Sequence, residues 1–303
     1  MPANTKEAVQ RALAHGLVIP AFNIPHLPML KPVVQAVCDE DSAAMIQVAR
    51  LEWEKFESES LERVAEEYAK YANPAHTLLH LDHVPVIDED HLEVDFMPII
   101  RRAIAAGYQS VMVDGSRLSL AGNIEKTAQV VREAHAVGIP VEAELGAVMG
   151  HETQQQSIPY EEIFASKAGF TDVEEARRFV AESHCDWLSV AVGSVHGAIA
   201  DNMLDKKKPA AKLDIQRIEE LENALGIPLV LHGGSGIQQD YIRRGIKAGI
   251  AKINVGTELR QPYERAMRER NDVAYAQECV YGRCRELIRD FLGTSGDAAL
   301  LLG

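Results

Sequence analysis

The sequence has no membrane-length apolar run, no C-x-x-C pair and no surplus of positive charge. The first absence excludes a helical membrane span, which needs about 18 consecutive apolar residues. Its four cysteines, Cys38, Cys185, Cys279 and Cys284, are too few over 303 residues for a disulfide framework. Cys279 and Cys284 also stand too far apart for a dithiol redox motif. Acidic residues outnumber basic ones by 45 to 31, a formal net charge of −14. No cationic field therefore draws in nucleic acid or an anionic membrane, and an anionic substrate needs a local pocket of donors. Residues 1–7 lack the basic-then-apolar order of a signal peptide. No G-x-G-x-x-G follows the first apolar run, which argues against a doubly wound dinucleotide-binding sheet. The expectation is a soluble, cytoplasmic chain in a reducing compartment, with neither a nucleic-acid nor a membrane partner.

What is present is the composition of an ordinary globular protein, 47% apolar and 25% charged. The length suits one large α/β barrel or two smaller domains. Short apolar runs at 17–23, 43–48, 77–82, 110–114, 141–145, 187–192, 228–232 and 251–254 read as buried strands. Between them lie helical patterns, among them 120–137 and 214–225. Gly16, Gly107, Gly138, Gly226 and Gly249 stand where helices stop. Thr171-Asp172-Val173-Glu174 reads as a capping box. Eight strands alternating with helices, without a linker, predict an α/β fold: a (β/α)8 TIM barrel. The expected organisation is a single domain over 1–303, with 262–303 as a helical appendage. Connections after strand five (146–169) and strand six (197–212) are longer than a bare barrel needs, which marks them as functional loops.

In such a barrel, chemistry belongs at the C-terminal ends of the strands. His83, His196 and His232 all fall there, and three imidazoles with one open position form a recognised catalytic zinc arrangement. A single histidine at a strand end is more often a hydrogen-bonded structural residue. Asp82, Asp114, Glu142 and Glu144 gather at the same rim, where a carboxylate beside a metal can act as an acid or base. Glu142 and Glu144 alternate along one face, and one of them is expected to serve as a structural partner. Asp82 and His83 are chain neighbours, so both can face the site only if strand three ends there. His232-Gly233-Gly234-Ser235-Gly236 and Asn254-Val255-Gly256-Thr257 follow strands seven and eight. Barrels commonly bind phosphate at these loops with bare amides and helix N-termini, although plain turn chemistry also places glycine there.

These segments resemble a known family. Leu79-His80-Leu81-Asp82-His83, Ser110 to Ser116, Val141 to Gly146, Val195-His196-Gly197, Leu229 to Gly236 and Lys252 to Leu259 are similar to class II, metal-dependent ketose-bisphosphate aldolases. Among them, the fructose- and tagatose-bisphosphate aldolases are nearest. The resemblance implies reversible cleavage of a ketose 1-phosphate or 1,6-bisphosphate to dihydroxyacetone phosphate and an aldehyde through a zinc-stabilised enediolate. It implies His83, His196 and His232 as ligands of one Zn2+ per subunit, with Glu144 near the metal. Asp82 would be the acid/base at the hydroxyl, and Glu152 would move the proton of the enediol carbon. Gly197, Gly233, Ser235, Asn254, Gly256 and Thr257 would hold the phosphate half, and a monovalent cation, Na+ or K+, is implied beside them. A homo-oligomer, dimer or tetramer, is implied as well.

The sequence departs from the family after strand six, where Tyr-Lys is replaced by Ile199-Ala200. It departs after strand two, where a Ser/Gly-rich segment is replaced by Ala49-Arg50-Leu51-Glu52-Trp53. Arg117 stands where many members have His, and the distal Asp-Pro-Arg stretch is absent. These changes suggest an altered aldehyde half, with Asn23, Arg50 and Arg117 as further substrate candidates. Either arginine suits a carboxylate or another anion. Related lyase action on a non-bisphosphate or acidic sugar, and a noncatalytic metal- and sugar-phosphate-binding role, stay open. Lys252, on the same strand face as Asn254, is the residue a competing Schiff-base mechanism would use.

Overall fold

Residues 4–146, 160–194, 211–234 and 236–303 are described by a computed structural model. Its eight parallel strands close in sequence order into one barrel: β1 (Ile19–Asn23), β2 (Ala44–Ala49), β3 (Thr77–Pro85), β4 (Ser110–Asp114), β5 (Val141–Leu145), β6 (Trp187–Val190), β7 (Leu229–Leu231) and β8 (Ile250–Val255). The ring is completed by β1 pairing with β8 through Ala21 and Asn254. Helices α1 (Thr5–His15), α2 (Leu30–Asp39), α3 (Arg50–Lys55), α4 (Leu61–Tyr71), α5 (Phe96–Ala105) and α6 (Leu120–His135) belong to the first half. The second half carries α7 (Tyr160–Ser166), α8 (Val173–Ser183), α9 (Ile215–Leu225) and α10 (Gln239–Lys247). After β8 come α11 (Thr257–Arg270), α12 (Val273–Glu286) and α13 (Ala298–Leu302), with a π-helical turn at Leu287–Leu292. The eight-strand barrel predicted from the sequence is therefore the observed fold.

Side-chain alternation divides the barrel lumen into an apolar floor and a polar top. Ile19, Ala21, Met45, Leu78, Trp187, Val230 and Ala251 form one buried cluster with Ala8, Val9 and Ala12 of α1 and Leu301 and Leu302 of α13. These helices plug the N-terminal end, so solvent reaches the lumen from the strand C-termini. Two residues beyond Ala21, Met45, Leu78, Trp187 and Val230 the side chains become Asn23, Gln47, His80, Ser189 and His232, all buried. Each is held by a hydrogen bond: Gln47 to Asn23, His80 to Ser110, Ser189 to Glu144 and His232 to Glu142. Outside the strands, the main apolar core packs the helices against the sheet, and α12 lies against α2 and α11.

Local signals explain most boundaries. Gly16 and Gly226 end α1 and α9 in the left-handed conformation that glycine adopts without a steric penalty. The capping box read at Thr171–Glu174 does not form, and the helix starts one residue later with a simple side-chain cap. Asp172 is the N-cap of α8 and accepts the N–H groups of Glu174 and Glu175. Thr171 instead donates its hydroxyl to Leu145 O and accepts the Ala191 N–H, tying β5 to the segment after β6. Among the described residues, no helix is long and apolar enough to cross a membrane.

Candidate active site

The expectation that strand three must end at Asp82 is corrected by the structure. β3 continues to Pro85, but its pairing with β4 slips between Leu81 and Val84. A bulge of this kind places two neighbours on one side of the sheet. The cost falls on His83, whose φ of 23° is unusual for a residue with a side chain. Asp82 and His83 both come within reach of the lumen as a result.

His83 meets His232, which follows β7. His83 Nε2 and His232 Nδ1 are 2.7 Å apart, and the rings lie edge to face at 4.5 Å. Glu144 Oε2 from β5 lies 3.2 Å from His232 Nδ1 and 3.9 Å from His83 Nε2. Each ring directs its other nitrogen to a carboxylate: His83 Nδ1 to Asp114 at 3.3 Å, and His232 Nε2 to Glu142 at 2.8 Å. A carboxylate on the remote nitrogen is the support that orients metal-binding imidazoles. Asp82, His83 and His232 also form a group whose ligand atoms all lie within 4.8 Å of one another. Two imidazole nitrogens converging on one point, with carboxylates behind and beside them, fit a divalent first-row cation.

Electrostatics favour positive charge at that point. Burial would lower the His83 pKa, but Asp82, the bond to Asp114, and Glu144 push it up to about 10. His232 is raised too, because its carboxylate partners Glu142 and Glu144 outweigh burial and the charge of His83. Carboxylates that strengthen proton binding strengthen cation binding in the same way.

Asp82 is held by two amides. Asn254 Nδ2 donates to Oδ1 and Asn23 Nδ2 to Oδ2, both at 2.9 Å. Gln47 Nε2 in turn donates to Asn23 Oδ1 at 2.8 Å. Burial would raise the Asp82 pKa, but the charges of His83, Lys252, His232 and His80 bring it down to about 2. Asp82 is thus oriented and ionised. Beneath it, Lys252 Nζ lies 2.9 Å from Glu142 and donates to Asn254 Oδ1 at 2.7 Å. Trp187 Nε1 also donates to Glu142, at 2.6 Å. Glu142, fully buried, is therefore the structural partner of the two glutamates on β5, while Glu144 lies beside the imidazole pair. Lys252 is matched by a carboxylate and an amide oxygen, an arrangement that holds an ammonium rather than a nucleophile.

The remaining expected residues divide into three groups. Gly233, Gly256 and Thr257 follow β7 and β8. Gly256 caps α11 and a Cβ on it would lie 3.6 Å from Asn23, while Thr257 opens the helix, where the first N–H groups have no intrahelical acceptor. Arg50 and Arg117 are tied to the β3–α5 connection, where Arg50 lies 3.6 Å from Asp88 and Arg117 donates to His91 at 3.4 Å; Arg50 also lies 3.8 Å from Glu54 of its own helix. Glu152, His196, Gly197 and Ser235 lie outside the described residues. Sequence reasoning missed the positions of Gln47, which holds Asn23, of His80, which meets Ser110 at 2.8 Å, and of Glu52, whose Oε2 accepts the Ala49 N–H at 2.8 Å and lies 3.4 Å from Asn23 Nδ2. Glu52 had a readable signal, since an acid three residues past a strand end can cap the following helix.

A model of the family described as fructose-bisphosphate aldolase class-II matches residues 3–296. The chain is similar in structure to the YdjI aldolase of Escherichia coli K12, with a TM-score of 0.77 and 28% identity over 98% of this chain and 99% of that one. It is similar to a Coccidioides immitis protein assigned as a fructose-1,6-biphosphate aldolase, with a TM-score of 0.76 and 26% identity over 97% and 98% of the two chains. A fructose-bisphosphate aldolase of Campylobacter jejuni shares the fold, with a TM-score of 0.71 at 16% identity over 97% of each chain.

Proposed function

This chain belongs to the class-II fructose-bisphosphate aldolase family and is an aldolase-type lyase of a metal-dependent class; from that premise we propose that it cleaves a ketose 1-phosphate or ketose 1,6-bisphosphate to dihydroxyacetone phosphate and an aldehyde. The observation that carries this reading is the pair His83 and His232, 2.7 Å apart, beside an Asp82 whose two oxygens are each held by an amide. His83 and His232 would hold the metal with His196, and the proposed ion is Zn2+. When bound, that ion supplies Lewis-acid stabilisation for the negative charge of the enediolate left by carbon–carbon cleavage.

The chain's own residues supply the rest. Asp82 accepts the proton of the hydroxyl on the carbon beyond the breaking bond, so that this carbon leaves as the aldehyde. The amides of Asn23 and Asn254 keep its carboxylate aimed, which removes the cost of orienting it during the reaction. Glu152 delivers a proton to the enediol carbon. Gly197, Gly233, Ser235, Asn254, Gly256 and Thr257 hold the phosphate through amides and short polar side chains, and a Na+ or K+ ion is proposed beside them. This local cradle answers the −14 net charge, because no global field is needed to retain the anion. Arg50, Arg117 and Asn23 are proposed on the aldehyde side. We assign the whole of 1–303 to one barrel domain acting as a dimer or tetramer in the cytoplasm.

The test is release of dihydroxyacetone phosphate from a panel of ketose 1-phosphates and 1,6-bisphosphates, with EDTA and with zinc restored. Release abolished by EDTA and recovered with zinc is expected. Release that persists after the metal has demonstrably been stripped overturns the metal mechanism.

A further inference from the structure

Gln47 Oε1 and His80 Nε2 are buried polar atoms with no hydrogen-bond partner among the described residues. The two residues are register partners on β2 and β3, and neither has any exposed surface. Their other polar atoms are engaged: Gln47 Nε2 donates to Asn23 Oδ1, and His80 Nδ1 meets Ser110 Oγ, both at 2.8 Å. Leaving a buried donor or acceptor unmet is costly, and internal water is the usual remedy where several polar groups face one another. Neighbouring strands stand about 4.8 Å apart, a gap that two hydrogen bonds of about 2.8 Å meeting at one water span.

The surroundings of His80 decide which way the hydrogens run. Burial, with the charge of Lys252 adding to it, brings the His80 pKa down to about 3, so the ring is neutral with a single N–H. Glu142 Oε2, which is paired with Lys252 at 2.9 Å, lies 3.5 Å from His80 Nε2. A carboxylate on that side favours the hydrogen on Nε2, which leaves Nδ1 to accept from the Ser110 hydroxyl. We propose that one internal water joins His80 Nε2 to Gln47 Oε1 and completes a one-way chain of hydrogen bonds, Ser110 to His80 to water to Gln47 to Asn23 to Asp82, making His80 a positioning residue for the Asp82 carboxylate.

Each group donates to the next, and the last donor, Asn23 Nδ2, reaches Asp82 Oδ2 at 2.9 Å. Direction matters because Gln47 and Asn23 are amides, each with a donor end and an acceptor end. Turned over, Asn23 would aim its carbonyl oxygen at a carboxylate. A hydrogen arriving at Gln47 Oε1 holds both amides in the donating sense, and bonds that run one way polarise one another. The positioning role rests on the proposed action of Asp82 at the substrate hydroxyl; the water and the tautomer stand apart from it.

A high-resolution crystal structure of the metal-loaded full-length enzyme should show a water bonded to both Gln47 and His80. Nitrogen NMR of labelled histidine should place the His80 hydrogen on Nε2. No water there, or the hydrogen on Nδ1, overturns the inference. Asp82 acts in the carbon–carbon step, whereas exchange of the C3 proton of dihydroxyacetone phosphate needs no aldehyde. His80→Leu should therefore lower ketose cleavage relative to that exchange by about tenfold. His80→Gln, whose amide reaches the place of Nε2 and keeps a donor there, should bring the ratio back to within about threefold of the wild type. If His80→Leu does not fold, His80→Asn, whose amide reaches only the place of Nδ1, is expected to show the same fall. Cleavage and exchange falling together mark a merely structural residue and overturn the positioning role. Absence of exchange in the wild type sinks the aldolase mechanism and that role with it, while exchange with an unaltered ratio in the variants sinks the role of His80 alone.

Discussion

Lys252 has no exposed surface, and among the described residues its ammonium is matched by Glu142 at 2.9 Å and Asn254 at 2.7 Å. Through Asn254 the lysine reaches Asp82, and through Glu142 it reaches His232, so one buried cation sets the position of both halves of the site. The carboxylate of Glu142 is held well below its usual range because Lys252 and His232 outweigh the cost of burying it. Removing one partner of a buried ion pair strands the other, at a cost of about 3–5 kcal/mol. Lys252→Met should lose about that much stability in urea unfolding. Lys252→Met combined with Glu142→Gln should lose less than the sum of the two single changes, because the residues share one interaction.

Elements differ in what they contribute. β3 carries a local irregularity at Asp82–His83 that no neighbouring strand repeats in register at that height. Without the slip, a regular strand would send His83 to the helix side, away from His232. The strand thereby accepts the unusual backbone of His83 in exchange for two functional side chains at consecutive positions, a strain of the kind that concentrates at functional sites. α8 shows the opposite case, an element whose cap serves stability alone. Asp172 is exposed and bonds only the first amides of its own helix. Asp172→Ala should cost about 1 kcal/mol in urea unfolding and leave kcat unchanged.

For the whole molecule, the −14 net charge opposes the approach of an anionic sugar phosphate, and binding depends on local donors. The field should therefore slow encounter at low ionic strength and weaken as salt shortens the Debye length from about 30 Å to about 8 Å. kcat/KM for the substrate identified in the release assay should rise with added NaCl over that range. A steep fall would instead indicate a focused cationic cleft steering the substrate. The apolar plug formed by α1 and α13 at the opposite end confines any such field to the open mouth of the barrel.

Strand order, the barrel and the rim positions of Asp82, His83, Glu144 and His232 were legible in the sequence, because period-two burial and glycine stops are local signals. So was the family, carried by strand-end motifs in their order along the chain. The bulge in β3 was not legible: it depends on how β4 pairs with β3, which no local pattern encodes. The place of Asn23 between two carboxyl groups was equally hidden, since it stands 29 residues from Glu52 and 59 from Asp82, to both of which it donates. Local periodicity determined which residues face inward. Only closure of the barrel decided which of them touch, because those contacts join strands far apart in the chain and are set by register and shear rather than by any segment's own preference.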